Sequence, residues 1–164
     1  MLLATLASLT FVTVAFGLWL RSLMPRRHNG VSANLLNSWL EEARSSGGRN
    51  SGVYIRVHGG AESLQVEVNG PPAQRDFVLV YPKAEWSVPF FDRVREKAVS
   101  CGLRLSYTPA GSPRQWDTML IRLGNNVQPA TNFVLSVITD IYGASLDSEC
   151  RVSLVNYPRD PNQD

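Results

Sequence analysis

The run Leu2–Leu20, LLATLASLTFVTVAFGLWL, contains 19 residues and no charge. No other feature restricts the folding of the chain so strongly. As a helix it would measure roughly 28 Å, against roughly 30 Å for the hydrocarbon core of a bilayer. Thr5, Ser8, Thr10 and Thr13 are its polar members, and their hydroxyls can bond back to helix carbonyls. Trp19 lies near its end, where an amphipathic ring suits the membrane interface. Pro25 stops the helix, and Arg26, Arg27 and His28 follow. The reading is a single-pass anchor over residues 1–24.

Two other structures compete for the run. A cleaved signal peptide predicts a basic start, a shorter apolar core and a small-residue cleavage site. Thr13-Val14-Ala15 is a passable site, but the mature chain would then begin with the apolar residues Phe16 to Leu20. A helix apolar all round can also sit in a protein core, but it needs burial that the remaining residues could hardly supply.

Arg21, Arg26 and Arg27 precede residue 30 and no acid does, so the start of the chain carries +3. The positive-inside rule then places the C-terminal domain in the cytoplasm, with Trp19, Arg21, Arg26 and Arg27 flanking the membrane. Residues 31–164 hold 13 basic and 14 acidic groups. A body so near neutrality, with its Arg residues scattered along the sequence, gives no electrostatic footprint for nucleic acid. The expected partners are the lipid bilayer and a membrane-associated protein. Cys101 and Cys150 form no CxxC pattern and are expected to be buried apolar residues in a reducing compartment.

Residues 25–52 read as the basic collar, an amphipathic helix capped by Ser32 with Leu35, Leu36, Trp39, Leu40 and Ala43 on one face, and the Gly/Ser loop 45–52. Residues 53–157 read as one α+β domain. Val53, Ile55 and Val57, then Leu64, Val66 and Val68, alternate with polar residues around Gly59-Gly60, which predicts a hairpin. Phe77–Tyr81 is apolar on both faces and predicts a central strand. A helix from Ser87 to Cys101, strands over 103–107 and 119–123, a helix from Asn126 to Gly143 and a strand from Val152 follow. Strand, helix, strand, strand, helix, strand is the order of a ferredoxin-like split βαβ sandwich, here with an extra hairpin and helix. The Ser32 helix would cover the other side of the sheet or lie under the membrane. Residues 158–164 read as a disordered polar tail.

For chemistry, the sequence has two His and no HExxH, GxSxG or GxxxxGK[ST] pattern. It points to no catalytic, cofactor-binding or metal-binding residue. Asp117, Asp140 and the Glu41-Glu42 pair read as solvated carboxylates. Tyr54, Arg56 and His58 alternate outward on one strand, and would form a partner-binding surface or touch the Ser32 helix. The loop from Tyr107 to Trp116, with Arg114 beside Trp116, has the composition of an interaction hot spot. The alternative is that Trp116 plugs the core. The expected function is a membrane-anchored, non-enzymatic protein-binding module, an accessory subunit or assembly factor. Its rivals are an enzyme with an unrecognised site and an exported domain freed by signal cleavage.

Overall fold

Alternating apolar residues force strands to bury one face, and in this chain seven strands share that face. The computed structural model describes residues 25–157 except 49, 61, 72, 73, 113 and 114. The anchor expected over 1–24, with Trp19 and Arg21, the tail 158–164 and Arg114 lie outside the described residues. Among the described residues, no helix is long and apolar enough to cross a membrane.

The elements are β1 (Arg26–Asn29), α1 (Ala33–Ser46), β2 (Gly52–Val57), β3 (Glu62–Asn69), β4 (Asp76–Pro82), α2 (Val88–Ser100), β5 (Arg104–Thr108), β6 (Thr118–Gly124), α3 (Val127–Ser136) and β7 (Cys150–Val155). The protein is α+β, with an antiparallel sheet in the order β1-β7-β2-β3-β4-β6-β5. A ferredoxin-like sandwich would set β7 beside β4. Here the hairpin β2–β3 stands between them, so the α3 crossover passes three strands rather than one. The hairpin goes to the centre because both its strands carry an unbroken apolar face: Val53 pairs with Val66 and Ile55 with Leu64 on one side, and with Leu154 and Val152 on the other.

One core lies between the helices and one face of the sheet. Val53, Ile55, Val57, Phe77, Leu79, Tyr81, Met119 and Ile121 are fully buried there. The Ser32 helix, α1, joins this same core through Leu36, Trp39, Leu40 and Ala43 and packs on α3. It therefore does not cover the other side of the sheet. Ser32 caps it, accepting from the Leu35 N–H at 3.2 Å, and Asn126 caps α3 in the same way. Ser87 does not cap α2 with its side chain; its buried hydroxyl donates to the carbonyls of Pro82 and Ala84. A π-helical turn, Val137–Ile141, continues α3 and brings Tyr142 into the core.

Two further expectations change. The basic collar is not free: Arg26–Asn29 is an edge strand paired with β7, since an antiparallel ladder satisfies its backbone whatever the side chains are. Cys101 is exposed and Cys150 buried. The buried stripe of α2 ends at Ala98, and Cys101 falls one turn later, at the helix cap, where the apolar periodicity no longer faces the core.

Candidate functional site

Alternation along paired strands divides their side chains between two faces. The face without helices carries Arg27 and Asn29 of β1, Arg151 and Ser153 of β7, Tyr54 and Arg56 of β2, and Ser63, Gln65 and Glu67 of β3. Asp76, Val78 and Val80 of β4, Leu120 and Arg122 of β6, and Arg104 and Ser106 of β5 lie on it as well. All five arginines are exposed. The strands place two acids, Glu67 and Asp76, among them. Arg56 stands directly opposite Arg151, and Arg104 opposite Arg122. Ion pairs among the described residues engage Arg26, Arg44, Arg95 and Lys97, none of which lies on this face.

At the centre of the face Tyr54 is half-buried, and its hydroxyl accepts from Gln65 Nε2 at 3.0 Å. Gln65 Nε2 also donates to Glu67. Burial pushes the Tyr54 hydroxyl up to about 12, aided by the Glu67 charge. Burial likewise raises Glu67, against the lowering effect of Gln65. Val78 is buried, while Val80 and Leu120 are half-covered. At one end of the face a pocket of about 300 Å³ is lined by Asn29, Arg56, Gly59, Gly60, Glu149 and Arg151, among others. Its glycine wall is the β2–β3 turn. His58, Gly59 and Gly60 all have positive φ there, +50°, +71° and +102°, and two glycines in succession make that affordable. The His58 N–H donates to the Glu149 carbonyl at 3.0 Å, tying the turn to β7.

The second surface is the β5–β6 hairpin. Its loop is held by side chains: Asp117 Oδ1 accepts from the Ala110 N–H and Gln115 Oε1 from the Gly111 N–H, both at 3.0 Å. The Lys83 N–H donates to the Asp117 carbonyl at 2.7 Å, fixing the loop to the end of β4. With the loop so anchored, Trp116 and Tyr107 each stay 56% exposed. Trp116 is a surface residue and not a core plug. β5 is the outermost strand, so its outer edge is unpaired among the described residues.

Inside the core, the Tyr81 and Tyr142 hydroxyls lie 2.9 Å apart. Burial drives both upward, Tyr81 to about 12. Glu62 stands nearby, with Oε2 buried and without a hydrogen-bond partner, and burial raises its carboxyl against the lowering influence of His58. Burial and the Glu149 charge push the Cys150 thiol to about 11, so it stays protonated and unreactive at neutral pH. Among the described residues no group of three or more His, Cys, Asp or Glu is placed to hold a metal.

The fold thus separates the residues singled out in the sequence. Tyr54 and Arg56 lie on the helix-free face, His58 lies in the turn beside it, and Trp116 sits in the loop just before β6. From β2 to β6 is three strand spacings, about 14 Å. Arg104, Arg122 and Arg151 were not singled out, although their positions in alternating strands, read together, carry the signal. No protein-family model, curated protein or solved structure matches the chain.

Proposed function

We propose that this chain is a single-pass membrane-anchored protein-binding module, an accessory subunit or assembly factor of a membrane complex, which holds its protein partner at the β5–β6 hairpin. The observation that carries the reading is the exposure of Trp116, on a loop tied through Asp117, and of Tyr107, near the end of β5, beside an unpaired strand edge. Large rings on a pre-ordered loop give contact area at low entropic cost, and a free edge strand can extend its ladder into a partner. The uncharged run Leu2–Leu20 supports the anchor. Tethering raises the effective concentration of a weak binder.

The test is cross-linking of the full chain in intact membranes, with Trp116→Ala compared directly. The expected result is a discrete cross-linked adduct that falls at least tenfold in the variant, consistent with a hot spot of about 2 kcal/mol. The variant should unfold within about 0.5 kcal/mol of the parent, because the ring is on the surface. An adduct unchanged by the substitution refutes the hairpin as the contact. Intact-mass measurement with membrane fractionation decides the anchor independently, since signal cleavage would leave a mature chain beginning near Phe16 and a core helix would leave an uncleaved chain in the supernatant.

A further inference from the structure

We infer that the helix-free face of the sheet lies against anionic phospholipid headgroups of the bilayer that the N-terminal run enters; this rests on the anchor reading above. Arg27, Arg56, Arg104, Arg122 and Arg151 are exposed on that face, with Glu67 and Asp76 among them on the strands and Glu149 beside Arg56 and Arg151 in the end pocket. Elsewhere the arginines are engaged: Arg26, Arg44 and Arg95 by carboxylates, Arg75 and Arg93 by backbone carbonyls. Among the described residues, guanidinium with neither a carboxylate nor a backbone-carbonyl partner is therefore confined to this face, where Arg151 Nε donates to the Asn29 side-chain oxygen at 3.3 Å. Like charges directly opposite each other on neighbouring strands weaken a sheet, and the fold contains two such pairs, Arg56–Arg151 and Arg104–Arg122. An anion lying over each pair removes the repulsion. A phosphodiester, whose one negative charge is shared by two oxygens, matches the guanidinium fork.

The chain itself says which anion is near. β1 starts at Arg26, six residues after Leu20, so the sheet edge is held within about 20 Å of the end of the run. The face measures about 29 Å across its strands and about 14 Å along them. The positive-inside rule puts it on the side where the leaflet is anionic. A single-stranded nucleic acid would require rings for base stacking. Tyr54 is the one aromatic residue on the strands of the face, and its hydroxyl is held by Gln65; a second ring, Tyr157, lies close to it past the end of β7, and between the two arginine pairs lie the aliphatic Val78, Val80 and Leu120.

The full chain is reconstituted in nanodiscs of phosphatidylcholine alone or with about one third phosphatidylserine. The substitution Ser106→Cys marks the face, and Cys101, exposed beyond the helix side, is the internal reference. The expected result is that maleimide labelling at position 106 slows at least tenfold relative to Cys101 in anionic discs only. The protection should be lost in molar salt and in a variant carrying R56Q, R104Q, R122Q and R151Q. A chain retained in neutral discs, with equal labelling in both lipids, refutes the lipid face and leaves the anchor standing. A chain that leaves neutral discs but co-floats with phosphatidylserine vesicles refutes the anchor and supports the face. A chain that binds neither refutes both. Protection at position 106 by a single-stranded oligonucleotide and not by anionic lipid overturns the choice of occupant.

Discussion

At the start of β3 the Glu62 carboxyl has one oxygen buried without a partner, close enough to Tyr81 and Tyr142 for its charge to raise both. Its own carboxyl is raised by burial, so the folded state prefers it protonated. A carboxyl raised on folding contributes fully below its unfolded value, about 4.3, and loses that contribution as pH climbs through the folded value. Glu62→Gln is therefore expected to unfold at a higher temperature than the parent at pH 7. The advantage should shrink toward zero at and below about pH 4, which paired thermal melts at the two pH values would check. Nothing in the local sequence around Glu62 reveals this. Its alternation with Ser63 and Leu64 is visible, but the tyrosine pair that crowds it comes from β4 and the end of the π turn.

The elements carry their own fastenings. Arg75, 7% exposed just before β4, donates through Nη1 to the carbonyls of Arg44 at 2.9 Å and Gly47 at 2.5 Å. A cation on the last carbonyls of α1 satisfies groups that a helix terminus leaves open and opposes the negative end of its dipole. Arg75→Met is expected to cost about 2 kcal/mol in urea unfolding, since charge-assisted bonds are lost and two carbonyls are stranded. The cost should exceed that of Arg95→Met, whose ion pair with Asp92 is exposed. The start of α1 was legible, because Ser32 followed by a helical apolar stripe is a local signal. The clamp on its end was not, since Arg75 is 31 residues from Arg44 in sequence.

Across the whole molecule, near-neutral charge hides a division. The described helix-side arginines are paired with acids or carbonyls, while five arginines face outward from the sheet without ion pairs among the described residues. Arg122→Gln and Arg151→Gln should each stabilise the isolated chain in detergent by about 0.2–1 kcal/mol at low ionic strength. The gain should disappear at molar salt, where charges at strand spacing are screened. Denaturant titrations at two salt concentrations measure it. A loss of stability at low salt would mean that these arginines have carboxylate partners.

By itself the sequence determined six of the seven strands, the helices, their apolar faces and the 19-residue uncharged run, because periodicity, capping and hydropathy are properties of near neighbours. It also placed Trp116 in a loop, but whether that ring turned inward depended on Asp117, Gln115 and Lys83 fastening the loop from three directions. Only the tertiary structure decided that the hairpin β2–β3 would enter the middle of the sheet, between β7 and β4. That choice is made by matching apolar faces across strands distant in sequence. It also gathered arginines that look scattered along the chain onto one face, since a pairing register converts spacing along five separate strands into adjacency in space.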